Sequence, residues 1–563
     1  MSGAVAGCGA TLPEIFEGHV AARADRDAVL FLERGEAVTE RATYGELGAR
    51  VARLAAGLSG EGLAGRPVVL ALAPGLDFVV ALLACLRAGA IAVPVPFPAT
   101  GEAARRLDLV LADLRTGALL AAPDAAIDPK GLTRFDPAVL AGRGGVLPPM
   151  PAPGDPAVIQ YSSGSTREPQ GIVISHGNIV ANETMIGEIF AMGPDAVVVN
   201  WLPPHHDMGL FGAILHPLFV GATAVLMPPM AFIQRPVRWL EAISRHRGTV
   251  AGSPTFGYDL CVRRIAPERL AGLDLSSLEI AFCGAEPIRA ESLARFAAFA
   301  APAGFSPAAL LPCYGLAETT LLATSVHKGT GLHRVSADGS AAGGAEAHAE
   351  GGRLHVSCGH PPAGCSVTIR DPASGALLPP GRAGEICVGG AHVATGVWDG
   401  ARGTVAPLPG LRGEGDERRF HTGDVGVLGP EGLVVVDRIK DVVIVHGHNV
   451  YAADAEEAAL AVAGPAVPAI AAFAAAGAEG ERLVLLCEIA KAARRGTDLT
   501  ALGRAIAEAV GRHCGLVPEV GFLVYGALPR TTSGKIRRQE ARRAHAGGTL
   551  RRIEAEDREW ASA

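Results

Sequence analysis

The sequence predicts an α/β protein: a large N-terminal domain of two α/β layered subdomains plus a small β-rich subdomain, followed by a small α+β C-terminal domain. Three observations carry this. Strand and helix patterns alternate through the first half of the chain, as in layered α/β folds with mainly parallel sheets. At 563 residues the chain is too long for one compact core and suggests about two to four domains. Its character changes twice, once after Val326 and again near Arg438.

In order along the chain, "TYGELGARVARLAAGLS" opens with Thr43 and Glu46 in capping-box spacing and then places apolar residues at helical intervals. "PVVLAL" reads as a buried strand, "GLDFVVALLACLRAGA" as a helix ending in glycine and "IAVPVPF" as the next strand. The alternation continues with the strand "AVVVNWLP", the helix "GLFGAILHPLFVGA", the strand "TAVLMPP", the helix "RPVRWLEAISRHRG" and the strand "TVAGSP". Residues 326–352 are rich in Ala, Gly, His and Ser and lack aromatics, which predicts a partly mobile surface insertion. "LHVSCGHP", "CSVTIRD", "GEICVGG" and "GLVVVDR" are short strands separated by turns, a small β-rich subdomain. After Arg438 the strands "VVIVHG", "RLVLLCEIA" and "VGFLVYGALP" alternate with the helices "AADAEEAALAVAG" and "LTALGRAIAEAVGRHCG".

Composition excludes several classes. Hydrophobic content of 49% with 19% charged residues fits a folded chain rather than a disordered one. A net charge of −7 argues against nucleic acid as a partner. The arginine-rich "RRQEARRAH" and "TLRRIEAEDREW" read as a solvated helix face, with a docking patch for an acidic partner as the other reading. Ten scattered cysteines without a C-x-x-C pair read as reduced, buried residues of a cytoplasmic protein. The N-terminus shows no signal-peptide pattern. The most apolar stretch is interrupted by Pro74, Asp77 and Arg87, short of the roughly 18–20 residues a membrane span needs.

Five segments carry candidate chemistry. "AVIQYSSGSTREPQG" runs a strand into a Ser/Thr/Gly turn whose backbone N–H groups and hydroxyls suit an anion, without the lysine of a P-loop. "NWLPPHHDMGL" holds His205, His206 and Asp207; adjacent residues point apart, so a pocket-facing histidine fits better than a metal site, with a structural role close behind for His205. "CYGLAETT" clusters Tyr314, Glu318 and Thr319, where the carboxylate suits Mg²⁺ or a helix N-terminal turn. In "FHTGDVG", Asp424 suits ribose hydroxyls, although by itself it reads as a β-turn aspartate. Finally, "DRIKDVVIVHGHNVYAADAEE" and "LPRTTSGKIRR" contain Lys440 and Lys535, two of only five lysines.

In this order and spacing the segments resemble the adenylate-forming superfamily from about Tyr44 to Arg538, and most closely its fatty acyl-AMP ligases, through "WLPPHHDMGL", "MAFIQRPVRWLEAISRHRGT", "PTFGYDLCVRRI" and "LDLSSLEIAFCGAEPIRAESLARF". The resemblance implies a large AMP-binding domain over residues 1–437, with its insertion in 326–352, and a small mobile lid over 438–563. It implies ATP and Mg²⁺ as cofactors, a carboxylic acid as substrate and a separate acyl carrier protein as partner. Ser163, Gly164, Ser165 and Thr166 then form the phosphate loop. Gly284, Ala285, Glu286, Tyr314, Gly315 and Thr319 line the adenine site, Asp424 binds ribose and Arg438 approaches the nucleotide. Glu318 holds Mg²⁺, Lys440 is the hinge, and Lys535 and His206 are the catalytic residues, Lys535 reaching the α-phosphate and the substrate carboxylate. The rival readings are an acyl-CoA synthetase, a free-standing amino or aryl acid adenylation enzyme, and a nucleotide-binding relative without turnover.

The family usually has glycine at the position of Arg167 and lysine at that of Gln170. Gln170 donates hydrogen bonds but brings no charge, so the loop has one cation fewer for the β- and γ-phosphates. Arg167 is a substitute charge, for which Glu168 competes. Gln170→Lys is expected to lower the KM for ATP in steady-state kinetics; an unchanged KM would show that the missing lysine carries no weight.

Overall fold

The computed structural model describes residues 9–161, 170–335, 355–445, 448–477, 480–494, 496–530 and 536–553. The phosphate-loop residues Ser163, Gly164, Ser165, Thr166 and Arg167 lie outside the described residues, as do Lys535 and residues 336–352 of the expected insertion. The described residues form two compact units, one holding those of 9–422 with 427–434, the other 423–426 with 435–553. The boundary expected at Asp437 lies close to Val435, where the second unit resumes.

Two eight-stranded sheets build the first unit. In one, Val197–Asn200, Thr223–Leu226, Val250–Gly252, Ile280–Cys283 and Leu310–Gly315 run parallel, and the antiparallel strands Leu322–Ser325 and Glu40–Thr43 close its edges. In the other, Pro67–Leu70, Ile91–Pro94, Ala118–Leu120, Thr133–Phe135 and Pro156–Tyr161 are parallel, and Gly171–Ser175 and Gly396–Asp399 extend it antiparallel. The helices Tyr44–Gly60 and Leu76–Ala88 share one core with Val29 of the first sheet and Val68 and Leu70 of the second. Leu76–Ala88 is buried along its whole length apart from Asp77, which explains its apolar composition. Among the described residues no helix is long and apolar enough to cross a membrane.

The local signals act as expected. Thr43 caps Tyr44–Gly60: its Oγ1 accepts from Glu46 N at 3.2 Å, while its own N–H donates to the Glu46 carboxylate at 2.9 Å. Leu76–Ala88 ends at Gly89 in the left-handed region, φ 66°. The helix read over "GLFGAILHPLFVGA" differs. It is a short α turn Asp207–Gly209, a π turn Leu210–Leu215 and a second α turn His216–Val220. Pro217 has no N–H to donate and its ring crowds the carbonyl four residues earlier, so the preceding turn widens.

A chain of aromatic contacts underlies the first sheet. Trp201 stacks on Phe232 at 4.0 Å, Trp239 meets Tyr258 edge-on at 5.8 Å, and Tyr258 meets Phe296 at 4.8 Å. Trp239 Nε1 donates to Val199 O and the Tyr258 hydroxyl to Phe282 O. Each aromatic pair contributes about 0.5–1.5 kcal/mol beyond burial. The two hydrogen bonds fix the strands Val197–Asn200 and Ile280–Cys283 near their carboxyl ends.

The expected β-rich segment contains Cys365–Arg370, Gly384–Gly390 and Arg419–Gly429. Asp424 lies inside the last of these strands, so the β-turn reading of this residue is corrected: strand pairing continues past Gly423, which takes φ 72° without interrupting it. The start of the expected insertion is built into the fold. Val326 and Val335 are buried, and Arg334–Val335 pairs with His355–Val356.

The second unit has a three-stranded sheet, Ala469–Gly477, Gly480–Ile489 and Glu519–Val524, with the helices Ala452–Ala463, Leu499–Cys514 and Arg538–Ala546. The alanine-rich strand Ala469–Gly477 carries no strand signal in the sequence, because alanine is the best helix former. It is a strand because both faces are covered. Ala469, Ala471 and Phe473 pack with Leu528 and Ala541, while Ile470, Ala472 and Ala474 pack with Ile506 and Val510.

The arginine-rich C-terminal helix is not uniformly solvated. Arg538 is 14% exposed and bonds Glu456 at 2.7 and 2.8 Å, Asp437 at 3.0 Å and Asp441 at 3.2 Å. Burial opposes its charge, but the three carboxylates outweigh it and raise its pKa well above the usual guanidinium value. Asp437 also accepts from Arg438 N and from Ala453 N, the latter near the start of the Ala452–Ala463 helix. The turn carrying Arg438 and Lys440 is therefore held from both sides. Arg538→Ala leaves three carboxylates without their cation and is expected to destabilise the second unit by about 3–5 kcal/mol. Denaturant unfolding of the full chain checks this; a change within about 0.5 kcal/mol would match an ordinary surface site instead.

Candidate active site

Four of the expected nucleotide residues meet at the carboxyl edge of the parallel strands in the first unit, where α/β sheets place their ligands. Gly284 and Ala285 follow Ile280–Cys283, and Tyr314 and Gly315 end the neighbouring strand Leu310–Gly315. Ala285 takes the left-handed conformation, φ 68°, at a cost on the order of 1 kcal/mol for a residue with a Cβ. A Cβ on Gly315 would lie 1.6 Å from the Leu321 carbonyl oxygen, and one on Gly284 would lie 2.8 Å from Cys313 Sγ. Gly315 needs glycine because backbone passes so close, whereas at Gly284 the nearest atom is a side-chain sulfur, with the Cys313 carbonyl oxygen at 3.0 Å.

After Gly315 the chain makes the 3-10 turn Ala317–Thr319 and reverses at Thr320, φ 64°, whose hydroxyl donates to His392 O at 2.8 Å. Glu318 sits half-buried on this turn, its backbone oxygen accepting from Ala394 N at 2.8 Å. The Thr319 hydroxyl donates back to Leu316 O and is fully buried, so it stabilises the turn. Glu286 accepts from Phe256 N at 2.8 Å, which ties the Ala285 turn to the helix Thr255–Arg264.

These backbone segments border a mainly apolar cleft. Ala285, Tyr314 and Gly315 form part of its lining; Ile186 and Phe190 line it from the helix His176–Phe190, and Gly212 from the π turn. Asn182 locks this helix to the neighbouring edge strand, donating to Leu322 O at 2.8 Å and accepting from Leu322 N at 3.0 Å. Asp207 also borders the cleft and is paired with His206, Nδ1 to Oδ1, at 2.5 Å. His206 is 20% exposed and is not itself part of the lining. His205 is kept neutral, its pKa pushed down to about 3 by burial, with the charges of His206 and Arg106 adding to this. Its carbonyl accepts from Gln160 Nε2.

Tyr161 opens the expected phosphate loop, but its hydroxyl is structural. It donates to Asp113 at 2.6 Å in a buried setting, and the Tyr161 carbonyl accepts from Arg106. The loop's far flank, Gln170, is exposed.

In the second unit Asp424 is buried and pairs with the exposed Arg438, Oδ1 to Nε, at 3.2 Å. Lys440 is exposed on the turn Ile439–Asp441, with its carbonyl accepting from Gln539. Arg530 and Ile536 are the described residues flanking Lys535. Arg530 and Ile536 form an antiparallel bridge, and the buried Glu488 accepts from Leu528 N at 2.7 Å and Arg530 at 2.8 Å. Glu488 was not marked by the sequence; its only signal is a lone carboxylate in an apolar strand.

One group of metal-type donors appears among the described residues: Glu385, Cys387 and His421. Glu385 and Cys387 both address the same imidazole nitrogen, Nδ1, at 2.7 and 3.4 Å. Burial pushes the Cys387 thiol up to about 12, so without an ion it stays protonated and can share a hydrogen bond with the imidazole. As it stands, the group is a hydrogen-bonded cluster around His421 Nδ1.

Residues 16–398 match the family described as AMP-binding enzyme. The chain belongs to the AMP-binding enzymes. Over 94% of its length it is 34% identical to a long-chain-fatty-acid–AMP ligase of Mycobacterium marinum, covering 96% of that protein. It is 32% identical to a medium-chain-fatty-acid–[acyl-carrier-protein] ligase of Moorena producens over 94% of each chain. A solved structure from work on fatty acyl-adenylate ligases of E. coli and L. pneumophila superposes with a TM-score of 0.82 at 30% identity, covering 96% of this chain and 98% of that one. This AMP-binding enzyme is an AMP-forming ligase with the α/β fold of that family.

The close passage at Gly315 gives a sharp test. Gly315→Ala forces the backbone away from Leu321 and is expected to weaken ATP binding at least tenfold by calorimetry. Wild-type affinity in the variant would show that this crossing does not shape the nucleotide site.

Proposed function

We propose that the chain uses ATP to convert a fatty carboxylic acid into an acyl adenylate, releasing pyrophosphate, and then transfers the acyl group to the phosphopantetheine thiol of a separate acyl carrier protein. The observation that carries this is the cleft: apolar along Ile186, Phe190 and Leu322, and bordered by the backbone of Ala285, Tyr314 and Gly315, in a chain of the AMP-binding family. An alkyl chain gains from burial against those walls, and the strand-end backbone is the place for adenine.

In the first step a carboxylate oxygen attacks the α-phosphorus and pyrophosphate leaves. Two anions approach, so the chain must supply positive charge and donors. Lys535 and Arg438 supply the charge, the Ser163–Thr166 loop supplies N–H and hydroxyl donors, and Asp424 takes the ribose. Glu318 fits Mg²⁺, which is commonly held by one or two carboxylates together with substrate phosphates. When bound, the ion neutralises phosphate charge. His206, oriented through Nδ1 by Asp207, leaves Nε2 for the reacting groups. In the second step the thiol sulfur attacks the acyl carbonyl and AMP leaves.

Lys535→Ala is expected to abolish carboxylate-dependent ATP–pyrophosphate exchange while leaving the circular dichroism spectrum unchanged. Exchange at the wild-type rate would overturn the role of Lys535. Thioester formation is expected with a phosphopantetheinylated carrier protein; efficient formation with free coenzyme A would overturn the choice of acceptor.

A further inference from the structure

A buried polar pair lies one turn beyond the lining of the cleft. On the helix His176–Phe190, the lining residues Phe190 and Ile186 share a face with Glu183, at spacings of three and seven residues. On the opposite wall, Gly212 lines the cleft and His216 follows four residues later. Both lining stripes therefore continue by one turn into a polar residue, and the two residues meet: Glu183 Oε2 and His216 Nδ1 are 2.8 Å apart, with both side chains fully buried. The imidazole lies against the cleft residue Phe190, with ring centroids 5.7 Å apart.

The pair is incompletely used. Among the described residues, Glu183 Oε1 and His216 Nε2 have no hydrogen-bond partner. Buried polar groups in native proteins are nearly always paired, so two orphans one turn beyond an apolar cleft, against its lining residue Phe190, need an explanation. Burial raises the Glu183 carboxyl, which favours a proton shared along the Oε2–Nδ1 contact. Nε2 then keeps its own proton, so the pair offers one donor, Nε2–H, beside one acceptor, Oε1. A hydroxyl, which both donates and accepts, satisfies the two together. A methyl group satisfies neither.

We propose that Glu183 and His216 recognise a hydroxyl at the far end of the substrate's chain, so that the preferred acid carries an ω-hydroxyl or terminal phenol. This rests on the proposed acid-activating function and names the substrate class of the same cleft. Sites built around a substrate hydroxyl discriminate strongly against the analogue without it, because the protein's own groups are left unpaired.

The test is ATP–pyrophosphate exchange by the full chain with acids matched in length: straight-chain acids against their ω-hydroxy forms, and phenyl-terminated against 4-hydroxyphenyl-terminated acids. In at least one pair the hydroxylated acid is expected to have a kcat/KM about tenfold higher or more. Glu183→Gln, and Glu183→Leu combined with His216→Phe, are expected to bring that ratio towards one or below. Equal values or a preference for the unsubstituted acid in every wild-type pair would overturn the proposal, and this arm needs no variant to fold. A hydroxyl preference that survives in a folded variant would overturn the assignment to these two residues. Exchange with no acid at all would instead overturn the acid-activating function, and this inference with it.

Discussion

The first unit depends on one close backbone crossing. At Gly315 the last parallel strand ends with no room for a Cβ against the Leu321 carbonyl. The chain must turn there, through Ala317–Thr319 and the left-handed Thr320, before returning as the edge strand Leu322–Ser325. That reversal places Glu318 on a short turn beside Tyr314 and brings Leu321 and Leu322 to the cleft wall. Backbone strain at Ala285 and Thr320 is held by neighbouring hydrogen bonds, from Phe256 N to Glu286 and from Thr320 to His392 O. Strain stored at the mouth of a cleft is characteristic of functional sites.

The second unit has a different organiser. Arg538 draws together carboxylates from three places in the chain: Asp437, Asp441 and Glu456. Single surface ion pairs contribute little, but a largely buried guanidinium that satisfies three acids sets geometry as well as energy. The turn bearing Arg438 and Lys440 is thereby defined while both side chains remain exposed. Glu488 does comparable work at Leu528 and Arg530, just before Lys535 in the chain.

Both organisers were partly legible in the sequence. "CYGLAETT" announced a carboxylate suited to Mg²⁺ or a helix N-terminal turn, but not that the Thr319 hydroxyl would be consumed within a 3-10 turn. "RRQEARRAH" announced a basic helix, yet nothing local separates Arg538 from Arg542 and Arg543. Only the positions of Asp437, Asp441 and Glu456, about eighty to a hundred residues earlier, make Arg538 the structural one. In the same way Tyr161 looked like one more hydroxyl of a phosphate loop until the fold supplied Asp113 as its partner.

The sequence by itself determined the α/β class, the capped helices such as Tyr44–Gly60, the glycine at Gly89 and the residue types at each motif. All of these rest on interactions within a few residues, where propensity and spacing decide. Tertiary structure alone decided the alanine-rich strand Ala469–Gly477, whose residues favour helix until two buried faces override them. It alone decided that Glu183 meets His216 across 33 residues of chain. Such pairings follow from how helices stack on a sheet, and the energy of an unpaired buried polar atom exists only once the atom is buried.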